Sequence, residues 1–101
     1  MSKPVCQGDI IKLDNIDSPV LVVSKDFFNE SGEVIGCPIT GLSTVSPLHI
    51  RIIAGRTEGY VQCEKMRLLD LRARAYSVKD RVVMAEIIDI TDAIQSIFDY
   101  I

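Results

Sequence analysis

The sequence predicts a mainly β fold, a small curled sheet or barrel with one helix at its C-terminal end. Several short segments are β-branched or alternate between apolar and polar residues, and turn residues separate them. The last segment instead carries apolar residues every three or four positions, which is helical spacing. The length of 101 residues and the hydrophobic content of 48% suffice for one compact core. We therefore expect a single domain over residues 1–101.

The first half of the chain contains three predicted strands. Asp9–Leu13 alternates weakly, and Pro19–Ser24 is a continuous apolar run with three valines, as expected of a buried strand. Lys25–Asn29 is predicted to form a short helical turn or loop. Val34–Thr40 is the third strand, and Pro38 within it indicates an edge position or a bulge, because proline cannot donate to a neighbouring strand.

The second half contains three more predicted strands and the helix. The strand Leu48–Ile53 places His49, Arg51 and Ile53 on one face, and Ala75–Val83 is the last strand. The helix is predicted over Ala85–Tyr100, with its apolar stripe packed on the sheet. The stripe consists of Ile87, Ile88, Ile94, Ile97, Phe98 and Ile101.

The predicted strand Tyr60–Met66, which lies between Leu48–Ile53 and Ala75–Val83 in the sequence, carries the candidate catalytic carboxylate. Tyr60, Gln62 and Glu64 alternate with Val61 and Cys63, so the three polar side chains are expected to share one face. Glu64 is the candidate catalytic carboxylate. The structural alternative is an exposed carboxylate paired with Lys65 or Arg67.

Charge and composition exclude several classes of protein. The net charge of −3 argues against a generic nucleic-acid binder, although six of the eleven basic residues lie between Lys65 and Arg81. The longest apolar runs have about four residues, far short of the roughly 20 that a membrane span needs. The N-terminal residues have no signal-peptide pattern, so we expect a cytoplasmic protein. Cys6, Cys37 and Cys63 have no metal-ligand spacing and are expected to be reduced thiols.

The ordered segments resemble the MazF/PemK family of toxins from type II toxin-antitoxin systems. The matching segments, in order, are Gly8–Ile10, Pro19–Asn29, Pro38–Gly41, Gly59–Lys65 and Arg67–Asp70, followed by an acidic C-terminal helix. The resemblance implies an SH3-like barrel, a homodimer and neutralisation by a cognate antitoxin. It also implies an endoribonuclease that cleaves single-stranded RNA without a metal or cofactor, through attack of the ribose 2′-OH on the adjacent phosphate.

The resemblance also implies roles for individual residues. Glu64 stands where the family has its carboxylate base, and Thr40 stands at the threonine that donates to the phosphate. His49 falls at an RNA-contacting position, and imidazole can act as an acid or a base near neutral pH. The candidate substrate-binding residues are Arg51, Gln62, Lys65 and Arg67.

Three departures from the family pattern predict weakened catalysis. Ser18 replaces the arginine that precedes the proline of the second strand, and Gln62 replaces a residue that is usually basic. The loop between the first two strands is cut to Asp14–Ser18. Losing an arginine from a phosphoryl-transfer site costs several orders of magnitude in rate. Arg51, beside His49, is the candidate to replace the lost positive charge.

Two alternatives share the same fold. A non-enzymatic toxin similar to the CcdB gyrase poisons would grip DNA gyrase with the chain end Phe98–Ile101, and trimming Tyr100 and Ile101 would abolish its toxicity. A catalytically inactive scaffold would bind a protein partner through a dimer face or the acidic helix, and its expression would not be toxic.

Overall fold

The computed structural model describes residues 5–41 and 45–98. It confirms a mainly β fold with a C-terminal helix. The strands are β1 (Asp9–Leu13), β2 (Val20–Val22), β3 (Glu33–Thr40), β4 (His49–Ala54), β5 (Thr57–Gln62), β6 (Arg67–Asp70) and β7 (Tyr76–Arg81). The helices are α1 (Asp26–Asn29) and α2 (Met84–Ser96), and a single 3₁₀ turn, Cys63–Lys65, follows β5.

The seven strands form one antiparallel sheet in the order β4-β5-β3-β2-β1-β7, with β6 paired to β3 outside this path. Strand β3 is the centre of the sheet. One of its edges pairs with β2, and the other pairs first with β6 over Glu33–Gly36 and then with β5 over Ile39–Thr40. The sheet can therefore curl around β3, because β5 and β6 leave the same edge in succession.

Pro38 lies on this central strand, so the prediction of an edge strand or a bulge is wrong. The Ile39 N–H donates to the Pro19 carbonyl on the β2 side. A donor at position 38 would point to the opposite side, between the end of the β6 pairing at Gly36 and the start of the β5 pairing at Ile39. The missing N–H therefore costs no ladder hydrogen bond.

The predicted strand Tyr60–Met66 ends earlier than expected, and the prediction that Glu64 lies on a strand is wrong. Strand β5 stops at Gln62, and the 3₁₀ turn carries Glu64. The turn redirects the chain from β5 to the other half of β3, where β6 pairs. Cys63 at its start is fully buried, and its N–H donates to the Leu48 carbonyl.

Apolar residues fill both faces of the sheet. On one face, strand residues such as Leu21, Cys37 and Val61 pack with Ile87 and Ile90 of α2. On the other face lies a smaller cluster of Val5, Ile11, Leu13, Val20, Val22, Val34 and Leu69. Within the described residues, no helix combines the length and the apolar character needed to cross a membrane.

The helix packs on the sheet as predicted, but its apolar stripe is rotated. Ile90 is fully buried, although the predicted stripe omits it, whereas Ile88 is 51% exposed. Phe98, just beyond the helix, is also exposed. The prediction that Ile88 and Phe98 pack on the sheet is therefore wrong. Ile101, the last predicted residue of the stripe, lies outside the described residues.

Candidate active site

One face of strands β3, β5 and β4 carries most of the predicted site residues. Thr40 on β3 faces Tyr60 on β5, and Tyr60 faces Arg51 on β4. Gln62, two residues after Tyr60, faces His49. Since directly paired residues and residues two apart point to the same side of a sheet, these five side chains share one face.

The 3₁₀ turn brings Glu64 back over this face to His49. Glu64 Oε2 lies 2.8 Å from His49 Nε2, so Glu64 pairs with His49 rather than with Lys65 or Arg67. An ionised carboxylate only accepts hydrogen bonds, so His49 Nε2 is the donor. The hydrogen bond from His49 lowers the pKa of Glu64 below 4.5, and Glu64 is therefore ionised at neutral pH. The His49 side chain is 11% exposed and that of Glu64 is 35% exposed, so the carboxylate reaches solvent and the imidazole is largely covered.

Gln62 is buried, with 6% of its surface exposed, and its side chain supports Thr40. Gln62 Nε2 donates to Thr40 Oγ1 over 3.0 Å. The hydroxyl oxygen is the acceptor in this bond, so the hydroxyl proton points away from Gln62. A neutral amide suits such a covered position, where a cation would need a charged partner.

Arg51 forms an exposed ion pair with Glu58 of the same hairpin. The two residues are diagonal neighbours, because Arg51 faces Tyr60 and Glu58 faces Ile53. The positive charge of Arg51 is therefore matched by a carboxylate on its own hairpin. Sequence reasoning missed Glu58, although the Gly55-Arg56 turn signal would have set the hairpin register and so indicated the pair.

Lys65 and Arg67 line a cavity of about 190 Å³ together with Ser18. Its other lining residues are Ile16, Val20, Gly36, Pro38 and Leu69, so no carboxylate of the described residues lines it. Arg67 faces Gly36 across the β3–β6 ladder. Gly36 and Pro38, which line the cavity, lie four and two residues before Thr40 on β3. Residues two apart on a strand point to the same side, so the cavity and the Thr40 hydroxyl lie on the same side of the sheet.

The buried cysteines Cys37 and Cys63 do not provide a nucleophile in this arrangement. Burial raises the pKa of Cys37 to about 12 and that of Cys63 to about 11, so both thiols are protonated at neutral pH. Over residues 5–41 and 45–98, no group of three or more His, Cys, Asp or Glu side chains could hold a metal ion. Among the titratable and hydroxyl side chains, the structure does bring the His49–Glu64 pair and Thr40 together on this face.

The gyrase alternative falls largely outside the described part of the chain. Asp99, Tyr100 and Ile101 are not described. The preceding residues Ile97 and Phe98 are 39% and 68% exposed. The proposed grip on gyrase stays a prediction.

Comparison with known proteins places this architecture in one family. The sequence model of the family described as PemK-like, MazF-like toxin of type II toxin-antitoxin system matches residues 7–98 of this chain. A MazE–MazF complex from Deinococcus radiodurans is structurally similar, with a TM-score of 0.86 and 22% identity over 96% of this chain and 98% of that chain.

Two mycobacterial structures are also similar. An endoribonuclease from Mycobacterial species has a TM-score of 0.82 and 18% identity, covering 95% of this chain and 92% of that chain. An endoribonuclease in complex with its cognate antitoxin, also from Mycobacterial species, has a TM-score of 0.78 and 18% identity, covering 93% of this chain and 94% of that chain. At these identities the structural likeness establishes the fold alone. No protein with a curated description is significantly similar to this chain in sequence.

Proposed function

The chain belongs to the PemK-like, MazF-like family of type II toxin-antitoxin toxins, and from this premise we propose that it cleaves single-stranded RNA without a metal ion. One observation carries the proposal: an acid–base pair, His49 Nε2 and Glu64 Oε2 at 2.8 Å, lies on the sheet face that also presents Thr40. RNA can be cleaved by such groups alone, because it contains its own nucleophile, the 2′-OH.

The reaction needs two proton transfers. A base removes the proton of the 2′-OH, the 2′ oxygen forms a bond to phosphorus, and the bond from phosphorus to the 5′ oxygen of the next nucleotide breaks. An acid then protonates that leaving oxygen. The products are a 2′,3′-cyclic phosphate and a 5′-OH, and water is not consumed.

Glu64 and His49 divide these transfers between them. Glu64 is ionised at neutral pH, since the hydrogen bond from His49 lowers its pKa, so it can accept the 2′-OH proton. Protonated His49 carries a proton on each ring nitrogen, so it can supply one to the leaving oxygen and become neutral imidazole. Glu64 would be the base and His49 the acid.

Thr40 and the two cations of the neighbouring cavity bind the phosphates. The Thr40 hydroxyl, held by Gln62, can donate to a non-bridging oxygen of the reacting phosphate. Lys65 and Arg67 line a cavity on the same side of the sheet, where a neighbouring phosphate would be attracted. With Ser18 and Gln62 in place of the usual cations, we expect slower cleavage than an arginine-containing site would give.

The proposal includes the partners and location typical of such toxins. The similar solved structures include a MazE–MazF complex and an endoribonuclease bound to its cognate antitoxin. We propose that this chain acts as a cytoplasmic homodimer and is neutralised by its own antitoxin. Exposed apolar side chains such as Phe27 and Met84 are available for such interfaces.

Incubation of the purified protein with a long single-stranded RNA in EDTA tests the proposal. We expect cleavage that leaves 5′-OH ends, and its loss in Glu64→Ala. Glu30→Ala is the matched control, because Glu30 is exposed and lies beyond α1, away from the site. The proposed reaction is wrong if a folded protein does not cleave RNA, or if Glu64→Ala cleaves as fast as the control. The search would then turn to gyrase and other protein partners.

A further inference from the structure

An open groove of about 410 Å³ adjoins the candidate catalytic residues. Gly41, Arg51, Glu58, Gly59 and Tyr60 line it. Gly41 directly follows Thr40, and Tyr60 faces Thr40 across the β3–β5 ladder. An RNA whose phosphate contacts Thr40 can therefore reach this groove with a neighbouring nucleotide.

The backbone around the groove is fixed by close packing of β3 on β5. A Cβ atom at Gly59 would lie 2.6 Å from the Thr40 carbonyl oxygen and 2.9 Å from Ile39 Cγ2, so only glycine fits there. At Gly41, in contrast, an added Cβ would meet nothing within 4 Å. The groove thus has closely packed backbone at Gly59, whereas no described residue crowds Gly41.

Tyr60 provides an aromatic surface in this groove. It is half-buried, so its ring is held by the sheet while part of it reaches solvent. Proteins that read single-stranded RNA stack unpaired bases on such side chains and bond their edges with neighbouring polar groups. The neighbouring polar groups here are Arg51 and Glu58.

The Arg51–Glu58 pair presents donors and acceptors side by side. The contact joins Arg51 Nη2 to Glu58 Oε1. A guanidinium has five N–H groups and a carboxylate has about four lone-pair positions, so one contact leaves most of them for a ligand. Both side chains are more than half exposed and can reach into the groove.

We propose that this groove binds a guanine base next to the cleaved phosphate. Guanine presents two adjacent donors, N1–H and N2–H, that match the two oxygens of Glu58. It also presents two adjacent acceptors, O6 and N7, that match the fork of Arg51. Adenine and cytosine give a carboxylate only their amino group, and uracil has a single ring N–H donor. Stacking on Tyr60 adds affinity for any base, so the choice of guanine rests on Arg51 and Glu58.

This inference takes the RNA ligand and the position of its cleaved phosphate from the proposed function, but its test is a binding measurement that needs no cleavage. The probes are short single-stranded oligonucleotides of deoxyuridine with one central guanine, adenine or cytosine. The sugars lack the 2′-OH, so the probes stay intact. Affinity is measured by fluorescence anisotropy at one fixed salt concentration, because phosphate contacts make it salt-dependent.

We expect the guanine probe to bind about tenfold more tightly than the others, the discrimination typical of one good bidentate contact. Glu58→Gln should reduce this preference to less than about threefold, because the amide offers one acceptor where guanine needs two. Asp70→Asn is the matched control, since it removes the carboxylate of another exposed arginine pair, Arg72–Asp70, outside this groove. The control should keep the full preference.

Equal binding of all probes, or a guanine preference that survives Glu58→Gln, would overturn the inference. In that case a different occupant of the groove, such as a protein partner, is the better explanation. RNA cleavage without a guanine preference would refute this subsite and leave the proposed reaction intact. A guanine preference without RNA cleavage would support this subsite and refute the proposed reaction.

Discussion

Gln62 illustrates how one buried side chain can alter a candidate catalytic site. The resemblance places a basic residue at this position, and a buried cation needs a charged partner. The amide needs none, because Thr40 Oγ1 accepts its hydrogen bond. In the proposed site, a positive charge near the phosphate is therefore exchanged for a hydroxyl that Gln62 holds in place.

Gln62→Leu should show what that hydrogen bond contributes. We expect the cleavage rate to fall about 10- to 100-fold, because Thr40 loses the group that positions it. The free energy of unfolding should fall by only about 1 kcal/mol, the typical value for one lost hydrogen bond. Rate measurements and chemical denaturation check both values. Gln95→Leu makes the same change on the exposed side of α2 and should alter neither quantity. An unchanged rate in Gln62→Leu would show that Thr40 does not depend on Gln62.

The His49–Glu64 contact predicts a pH-dependent contribution to stability. Its hydrogen bond lowers the pKa of Glu64 in the folded protein. The stabilisation is therefore complete above pH 4.5, the ordinary value, and is lost as the pH falls through the lowered pKa of the folded state. Denaturation of wild type and Glu64→Gln should differ at neutral pH by less than about 1 kcal/mol, since the carboxylate is partly exposed. The difference should vanish in acid, and a difference that is constant with pH would contradict the assignment.

At the scale of elements, two substitutions in α2 test which apolar residues hold this helix to the sheet. Ile90→Ala should lower the free energy of unfolding by about 2–5 kcal/mol, because it leaves a cavity in a fully buried site. Ile88→Ala removes the same atoms from a position that is 51% exposed and should change it by no more than about 0.5 kcal/mol. Chemical denaturation measures both. Similar losses in the two variants would mean that the helix packs through a different face.

Hydrophobic periodicity predicted the helix and most strands, but it could not predict where a strand changes from one neighbouring strand to another. The Tyr60–Met66 pattern continues past Gln62, although Cys63–Lys65 is a turn. The turn exists because β3 has two successive partners, a long-range feature that no local pattern records. For the same reason β6 was missed, and Pro38 on a central strand suggested an edge.

The residues of the candidate site could be proposed from the sequence, but the contacts between them could not. The resemblance singled out Thr40, His49 and Glu64, and the structural alternative paired Glu64 with Lys65 or Arg67; neither predicted a contact between Glu64 and His49. The His49 contact arises because the turn folds Glu64 back over β4. That geometry depends on the turn, so a strand-based interpretation could not have found it.

At the scale of the whole molecule, the Asp80 carboxylate joins the two ends of the sheet through two hydrogen bonds. Asp80 lies on β7, at one end of the strand order, and the β4–β5 hairpin lies at the other end. The Thr57 hydroxyl donates to Asp80 Oδ2 over 2.5 Å, and the Arg56 N–H donates to Asp80 Oδ1 over 3.4 Å. The curled sheet is therefore closed by a carboxylate at the hairpin turn.

Gly55 at that turn should be intolerant of a side chain. Its φ of +58° disfavours other residues, and an added Cβ would overlap Asp80 Oδ1. We expect Gly55→Ala to lower the free energy of unfolding by more than about 1 kcal/mol. Gly41→Ala is the control, since its Cβ would meet nothing within 4 Å, and should change stability by less than about 0.5 kcal/mol. Equal stability of the two variants in chemical denaturation would argue against closure at this point.

The whole-molecule proposal depends on the nucleophile, and one measurement tests it directly. A single-stranded RNA that the protein cleaves is compared, in EDTA, with the same strand carrying a 2′-deoxy sugar on the 5′ side of the cleaved bond. The account predicts that the ribose strand gives a 2′,3′-cyclic phosphate and a 5′-OH, and that the substituted bond stays intact. Cleavage at the deoxy position would contradict the account, because the nucleophile would then be water or a protein group rather than the 2′-OH.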